Sequence, residues 1–276
     1  MAEALDELGN PTGSLAPAMV VPFQNGVGSD EAFAHVFGGA NVLSATLTSP
    51  VSLDAPSVVR LERARGGVGL APFIHPTHAS RQTLASLSGP LGPGALAFMN
   101  APGLASELYA DARALRWSKL LLNIVGNATS AILDKTVAEI YADPLWSKVE
   151  LGMIRECVRV IDAQHIALVN LPGAPAAWLA RAVRSLPNAL LRGVLAQVFA
   201  KARGQKRPSL YYDVASHVGR SEVGWLNGAI ADAGQTLGVP APINRRLTDV
   251  LTTLVQPQSR LTRDEAMRQL SGCILA

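Results

Sequence analysis

The feature that most constrains the fold is a change of sequence pattern near Arg116. Before it, short apolar runs are separated by Pro and Gly, which is typical of strands and turns. From Leu104 the apolar residues begin to recur at helical spacing, and after Arg116 this continues to the C-terminus. The order predicts a sheet-rich α/β unit over residues 1–116 and an all-helical unit over residues 117–276.

Composition excludes several classes of protein. The 276 residues are 49% hydrophobic and 16% charged, which suits one or two domains with a large core. The chain lacks the roughly 18 consecutive apolar residues that a transmembrane helix needs. Its start, MAEALDELGN, is unlike a signal peptide, so a cytoplasmic protein with no membrane partner is expected. Cys157 and Cys273 have no metal-ligand spacing and are expected to be buried or inert thiols.

Charge gives little support to a nucleic-acid partner. The net charge is only +3, and the basic run over residues 201–207 contains no interleaved aromatic residues. A solvated loop is the simplest interpretation of that run, and a small anionic ligand is the next. His75 and His78 lie on a Pro-bearing loop without a third ligand, so no metal site is predicted. Residues 92–97 match the letters of GxGxxG/A, but no predicted strand precedes them, so they are not expected to form a dinucleotide-binding loop.

The first unit begins with a strand–turn–helix pattern. Residues 18–23 predict a short buried strand, residues 24–28 a Gly-containing turn, and Ser29 the N-cap of a helix. Ligands of α/β sheets bind beyond the carboxyl ends of strands, which is where Asn25 falls. Three further strands are predicted as an antiparallel meander, and helices follow. The strands are 41–48, 57–63 and 67–70, and the helices are near 4–9, 80–88, 117–134, 144–168, 174–203, 209–217, 220–238 and after Pro242.

A thin polar line crosses the apolar segment 116–134. At about 100° per residue, its five members fall within an arc of about 80° on a continuous helix. They are Lys119, Asn123, Asn127, Ser130 and Asp134. One interpretation is a buried helix that shows a strip to solvent. The other is a line that faces a polar cleft between domains, where an amine and two carboxamides hold a small oxygen-rich ligand.

A second group of polar residues lies near the predicted helices 209–217 and 220–238. Ser209 precedes a helical run and is suited to an N-cap, a role compatible with a ligand contact. Glu222 falls in the first turn of the predicted helix 220–238. It either complements the helix N-terminus or is an acid directed into a cleft.

Four stretches resemble motifs of the ketopantoate reductase family, in that family's order. They are QNGVG, WSKLLLNIVGNATSAI, RPSLYYDVASHVGRSEVGWLNGAI and GVPAPINRRL. The resemblance implies an NADPH-binding Rossmann-type domain followed by an all-α domain. It implies reduction of the 2-oxo group of 2-dehydropantoate, or of a similar 2-oxo acid, in pantothenate and coenzyme A biosynthesis. A homodimer is a possible assembly.

The resemblance also implies residue roles. The catalytic lysine and acid of the family fall on Lys119 and Glu222. Its substrate-binding residues fall on Asn123, Asn127 and Ser209. Asn25 matches the asparagine that contacts the cofactor.

The likeness to the family begins at about Ala18, although family members start with a strand and a GxGxxG turn. The expected fold is therefore an incomplete Rossmann-type domain without its first βα units. A misplaced start or a gene fragment is the expected reason, and weak NADPH binding the expected consequence. The alternative function is a noncatalytic remnant that dimerises or binds a carboxylate.

Overall fold

The structure, a computed structural model, describes residues 20–55, 58–62, 65–73, 105–200, 207–216 and 219–275. The chain forms two compact units. The first contains residues 1–119 and 167–177, and the second contains residues 120–166 and 178–276. The boundary expected after residue 116 stays a prediction. The helices expected near 4–9 and 80–88 lie outside the described residues.

Among its described residues, the first unit contains one α-helix and five strands before the long helix that leads out of it. Helix α1 spans Ser29–Phe37, and the strands are β1 Leu43–Leu47, β2 Val51–Ala55, β3 Val58–Leu61, β4 Val68–Pro72 and β5 Ser106–Leu108. The main sheet has the order β1-β4-β5. Strand β1 is antiparallel to β4, with Ala45 opposite Leu70, and β4 is parallel to β5. Leu43, Ala45, Val68 and Leu70 form its apolar core.

The predicted meander is wrong in its strand pairing. Strand β3, predicted as its middle strand, pairs instead with β2, and the two form a separate antiparallel hairpin. The first four residues of β1 and of β4 are buried, whereas every residue of β3 is exposed, with Val59 at 64%. A strand without a buried face contributes little to a sheet core, and this accounts for the different pairing.

The segment before α1 is strand-like over a shorter length than predicted. Val20 forms a single parallel bridge with Val42 and exchanges backbone hydrogen bonds with the chain around it. Residues 18 and 19 lie outside the described residues. Helix α1 begins at Ser29 itself, so the prediction of Ser29 as N-cap is wrong by one residue. Gly28 is the cap, and its φ of 103° is a conformation that favours glycine.

The second unit is helical in all its described elements. Helix α2, which leads into it, spans Ala112–Ile124. The others are α3 Ala128–Leu133, α4 Val137–Ala142, α5 Pro144–Ala163, α6 Ala176–Ser185, α7 Asn188–Leu195, α8 Ser209–Ser216, α9 Asn227–Leu237, α10 Pro242–Leu254 and α11 Arg263–Leu275. A π-helical turn, Ala196–Ala200, follows α7, and a 3₁₀ turn, Glu222–Trp225, precedes α9.

Three of the predicted long helices are broken. The helix expected over 117–134 stops at Ile124 because Gly126 adopts a φ of 62°. The helix expected over 174–203 is interrupted before Pro187, whose ring cannot continue a helix. The helix expected over 220–238 changes from 3₁₀ to α geometry at Leu226. The spacing of apolar residues continues across each short break. The helical periodicity of the sequence therefore did not reveal the breaks.

Helix α5 is the longest element of the second unit, and its ends have clear causes. Asp143 caps it by accepting the N–H groups of Leu145 and Trp146, and Pro144 occupies its first position. Its inner face buries Val149, Met153 and Ile154 completely. Two carboxyl groups, those of Glu150 and Glu156, are buried on the same helix.

A buried ion pair organises the first unit. The guanidinium group of Arg116, on α2, binds both carboxylate oxygens of Asp30 on α1, with an Nε–Oδ2 distance of 2.7 Å. Its remaining N–H groups donate to the carbonyl oxygens of Pro22 and Gln24, each at 2.8 Å. Both charged side chains are almost fully buried. Such a pair is stabilising only when all its polar atoms are satisfied, which is the arrangement found here.

Replacing Arg116 by Met should lower the free energy of unfolding by about 3–5 kcal/mol, because the carboxylate of Asp30 loses its buried partner. Urea unfolding followed by circular dichroism measures the change. Arg184→Met is the matched control, since Arg184 forms a half-exposed pair with Asp162. That substitution should cost no more than about 1 kcal/mol. Equal losses in the two variants would contradict the role of the buried pair.

Candidate functional site

Lys119 is placed in the first unit by helix α2 and strand β1. Its side chain is partly buried, and its Nζ donates to the carbonyl oxygen of Leu47, the last residue of β1, at 2.7 Å. One residue earlier, the hydroxyl of Ser118 accepts the N–H of Val169 at 2.9 Å. These contacts hold the lysine ammonium at the end of a strand of the main sheet.

Asn25 lies in the loop between the Val20 bridge and α1. The side chain is exposed, while the carbonyl groups of Pro22 and Gln24 before it are fixed by Arg116. Gly26 follows with a φ of 88°. The exposed side chain of Asn25 therefore lies beyond the carboxyl end of a strand-like segment, and its role at the cofactor stays a prediction.

The structure brings Asn127 and Ser209 together within the second unit. The Nδ2 group of Asn127 donates to the hydroxyl oxygen of Ser209 at 3.3 Å, and its Oδ1 accepts the N–H of Leu210 at 3.2 Å. Ser209 is the first residue of α8, so the prediction of Ser209 as its N-cap is wrong. The side chain of Asn127 supplies an acceptor to that helix N-terminus instead.

The predicted polar line is not one continuous stripe. Asn123 follows Lys119 by one turn on α2, and its side chain is partly buried. After Asn127, the last two members of the line make contacts within the helical unit. Ser130 donates to the carbonyl oxygen of Lys135, and Asp134 forms ion pairs with two arginines, Arg207 and Arg263. The single arc calculated for a continuous helix is therefore wrong.

Glu222 lies on the 3₁₀ turn rather than in the first turn of a long α-helix. Its side chain is partly buried, and Ser221 caps the turn by accepting the N–H of Val223 at 3.2 Å. Asp213 supports the turn from α8, because its carboxylate accepts the hydroxyl of Ser221 at 2.9 Å and the N–H of Glu222 at 3.4 Å. The sequence pattern did not reveal this supporting role, although Asp213 lies between Ser209 and Glu222 in the same motif.

Glu150 is a second supporting residue that the sequence motifs did not indicate. It is completely buried on α5, and its carboxyl group accepts the N–H of Gly126 at 2.9 Å. The hydroxyl groups of Thr129 and Tyr141 also donate to it. A carboxyl group at a core-facing position, between Val149 and Met153, is the signal that could have revealed it.

Other features of the described residues carry no ligand chemistry. They contain no group of three or more His, Cys, Asp or Glu that could hold a metal ion, and no helix long and apolar enough to cross a membrane. Burial raises the pKa of the Cys157 thiol, which keeps it protonated and unreactive. An open cavity of about 460 Å³ lies between the end of α9 and the start of α10, and none of the predicted site residues lines it.

Comparison with known families gives two matches that cover most of the chain. The family described as Ketopantoate reductase PanE/ApbA C terminal matches residues 111–255, more than half of the sequence. The chain belongs to the ketopantoate reductase family. The match described as Ketopantoate reductase PanE/ApbA covers residues 4–73.

Individual relatives agree with this membership. A 2-dehydropantoate 2-reductase of Halobacterium salinarum is 24% identical over 85% of this chain and 66% of its own length. A PanE/ApbA family ketopantoate reductase from Ralstonia eutropha JMP134 has a TM-score of 0.67 at 22% identity, covering 96% of this chain and 73% of that one. The structure of D-mandelate dehydrogenase with NADH and anilino(oxo)acetate has a TM-score of 0.60 at 20% identity. The match covers 86% of this chain and 67% of that one. The chain thus spans slightly less than two thirds of the length of the Halobacterium salinarum relative. The predicted fold class, α/β followed by all-α, is confirmed.

The bend at Gly126 should tolerate no side chain. Gly126→Ala should lower the free energy of unfolding by about 2 kcal/mol or more. Its φ of 62° disfavours L-residues, and a Cβ atom would lie 2.6 Å from Cγ2 of Val137. Thermal and urea unfolding measure the effect. Gly193→Ala is the control, because nothing lies within 4 Å of that Cβ in helix α7. It should stabilise by about 0.5–1 kcal/mol, and a loss as large as that of Gly126→Ala would refute the argument.

Proposed function

We propose that this chain takes part in the reduction of 2-dehydropantoate, or a closely similar 2-oxo acid, to the 2-hydroxy acid with NADPH. The observation that carries the proposal is the hydrogen bond between Asn127 and Ser209. These residues are far apart in the sequence, and the family resemblance predicts that both bind substrate. Each residue lies in a different motif, and neither motif by itself predicts that the two side chains are hydrogen bonded.

The Asn127–Ser209 pair is suited to an oxygen-rich ligand. Because the Ser209 oxygen accepts a hydrogen bond from Asn127, the hydroxyl hydrogen points elsewhere and can donate to a carboxylate or hydroxyl group. Ser209 is also exposed, so a ligand can reach it. We assign Asn123, Asn127 and Ser209 to holding the carboxylate and hydroxyl groups of the 2-oxo acid.

Lys119 is assigned the acid role in the reaction. When bound, a reduced nicotinamide cofactor supplies the hydride that the 2-oxo carbon accepts. Negative charge then develops on the carbonyl oxygen, and an ammonium group that donates a hydrogen bond or a proton there stabilises it. The hydrogen bond from Nζ of Lys119 to the carbonyl oxygen of Leu47 holds this ammonium group at the end of β1. Glu222 is assigned to orienting the lysine or binding the substrate hydroxyl.

The described residues fit one end of the cofactor. Asn25 is exposed on a loop that Arg116 holds rigid, and Gly26 at positive φ lets the backbone turn closely. Asn25 is the residue that we assign to the nicotinamide end.

Lys119→Ala should lower kcat by about 100-fold or more, which is the usual contribution of a positioned acid. The rate is followed by the loss of NADPH absorbance with 2-dehydropantoate as substrate. Lys148→Ala, at an exposed lysine of α5, is the control and should retain activity. Equal rates for Lys119→Ala and the wild type would exclude the acid role. A wild-type chain that neither binds nor reduces 2-dehydropantoate would exclude the function itself.

Glu222→Gln should reduce kcat/KM by about tenfold or more if the carboxylate acts in the reaction. Its unfolding free energy should change by less than about 1 kcal/mol, because a charge near a helix N-terminus contributes no more than that. Asp264→Asn is matched to it, since Asp264 is an exposed acid in the first turn of α11. Turnover that stays unchanged while stability falls would favour the purely structural role of Glu222.

A further inference from the structure

We propose that Glu150 is a positioning residue, which fixes the bend before Asn127 and through it sets the Asn127–Ser209 pair for substrate binding. The inference rests on the proposed function for the role of that pair. The bend and its supporting contacts belong wholly to the second unit. No motif that suggested the family contains Glu150.

The contacts of Glu150 surround Asn127 in the sequence. Oε2 accepts the N–H of Gly126, the residue before Asn127, at 2.9 Å. Oε1 accepts the hydroxyl of Thr129, two residues after Asn127, at the start of α3. The hydroxyl of Tyr141 on α4 donates to Oε2 at 3.2 Å. One carboxyl group therefore ties both sides of Asn127 to helix α5.

The bend depends on an acceptor at this place. Helix α2 stops at Ile124, and Asn127 closes a tight turn by donating its N–H to the carbonyl oxygen of Ile124 at 3.2 Å. Gly126 between them is buried, and its N–H points to Glu150. A buried N–H without an acceptor is costly, so the carboxyl group favours this conformation over a continued helix.

The position of the bend determines where the carboxamide of Asn127 lies. Its two hydrogen bonds, to Ser209 and to the N–H of Leu210, have lengths of 3.3 and 3.2 Å, at the long end of the usual range. A small displacement of the Asn127 backbone would therefore break them. The N–H of Leu210 reports this pairing directly, since it donates to Asn127.

The chemistry of the acceptor separates two substitutions. In Glu150→Gln, the carbonyl oxygen can still accept the N–H of Gly126, and the amide can donate to Thr129, whose hydroxyl can also accept. In Glu150→Leu, the N–H of Gly126 and both hydroxyl groups lose their acceptor. Glu150→Asp is intermediate, because its carboxyl group is withdrawn by one methylene. The expected order of damage is Leu, then Asp, then Gln.

A matched control lies on the same helix. Glu156 is also buried on α5, but it accepts the N–H groups of Ile243 and Asn244 at the start of α10, at 3.0 and 2.9 Å. Glu156→Leu therefore removes a second buried carboxyl group without removing the acceptor of Gly126. It separates loss of stability in general from loss of the Asn127–Ser209 pair.

The experiment measures hydrogen exchange at the amide of Leu210 in the whole chain, relative to amides in the middle of α6, which neither Glu150 nor Glu156 accepts. Glu150→Leu should accelerate the Leu210 amide by about tenfold or more relative to those amides. Glu150→Gln should change it by less than about threefold, and Glu156→Leu should not change it selectively. Should Glu150→Leu fail to fold, Glu150→Asp should still accelerate Leu210 selectively. The proposal would be overturned if no folded variant showed selective acceleration of the Leu210 amide. It would also be overturned if Glu150→Gln and Glu150→Leu accelerated that amide equally.

A binding measurement tests the link to function. Titration calorimetry with 2-dehydropantoate, with and without NADPH, should give a Kd about tenfold higher for Glu150→Leu and within about threefold of wild type for Glu150→Gln. A Kd unchanged in Glu150→Leu, where Leu210 exchange is accelerated, would overturn the link to substrate binding. If the wild type binds no 2-dehydropantoate, the proposed function fails, while the exchange measurement still decides whether Glu150 positions Asn127.

Discussion

The buried ion pair between Arg116 and Asp30 is the interaction on which the first unit depends. Taking two charges out of water is unfavourable unless their remaining polar atoms also find partners, and the carbonyl groups of Pro22 and Gln24 supply these. One guanidinium group thereby joins the start of α1, the loop before Asn25 and helix α2. Lys119 lies one helical turn beyond Arg116. Both candidate residues of this unit, Asn25 and Lys119, therefore lie on segments that this side chain joins.

The second unit solves a related problem at its helix ends, where backbone donors have no partner within the helix. Glu150 accepts the N–H of Gly126, Glu156 those at the start of α10, and Asn127 that of Leu210. Asp213 does the same for Glu222. Burial raises the pKa of Glu156, although the hydrogen bonds it accepts oppose this shift. Asn127, Ser209 and Glu222 therefore lie where helices or turns begin, next to backbone donors whose acceptors are side chains of other elements.

Local patterns predicted a large part of this molecule. The order of an α/β unit and a helical unit was predicted from two patterns. Short apolar runs separated by Pro and Gly precede Arg116, and apolar residues at helical spacing follow it. The residue types around Lys119, Asn127 and Ser209 indicated the family because each motif is continuous in sequence. The helix predicted over 144–168 agrees with the start of α5 at Pro144, although α5 ends earlier, at Ala163.

The remaining features depend on contacts between distant segments. The pairing of β1 with β4 is decided by which strands have a buried face, which alternation alone does not show. The bend at Gly126 leaves the apolar pattern intact, so the arc drawn for a continuous helix included Ser130 and Asp134 wrongly. The hydrogen bond of Asn127 with Ser209, and the support from Glu150, join residues of separate helices. The one sequence signal for these contacts was an acidic residue, Glu150, among the core-facing positions of α5.

The hairpin of β2 and β3 has a consequence for the stability of different parts of the chain. It is hydrogen bonded apart from the main sheet, and Val58 and Val59 are mostly exposed. A two-stranded ribbon of this kind gains little from burial and is only marginally stable. Its strands can therefore separate and re-form while β1, β4 and β5 stay paired. Protease nicking and tolerated insertions are accordingly expected to concentrate at this hairpin, which offers an attachment point for a fluorescent label remote in sequence from Lys119 and Asn127.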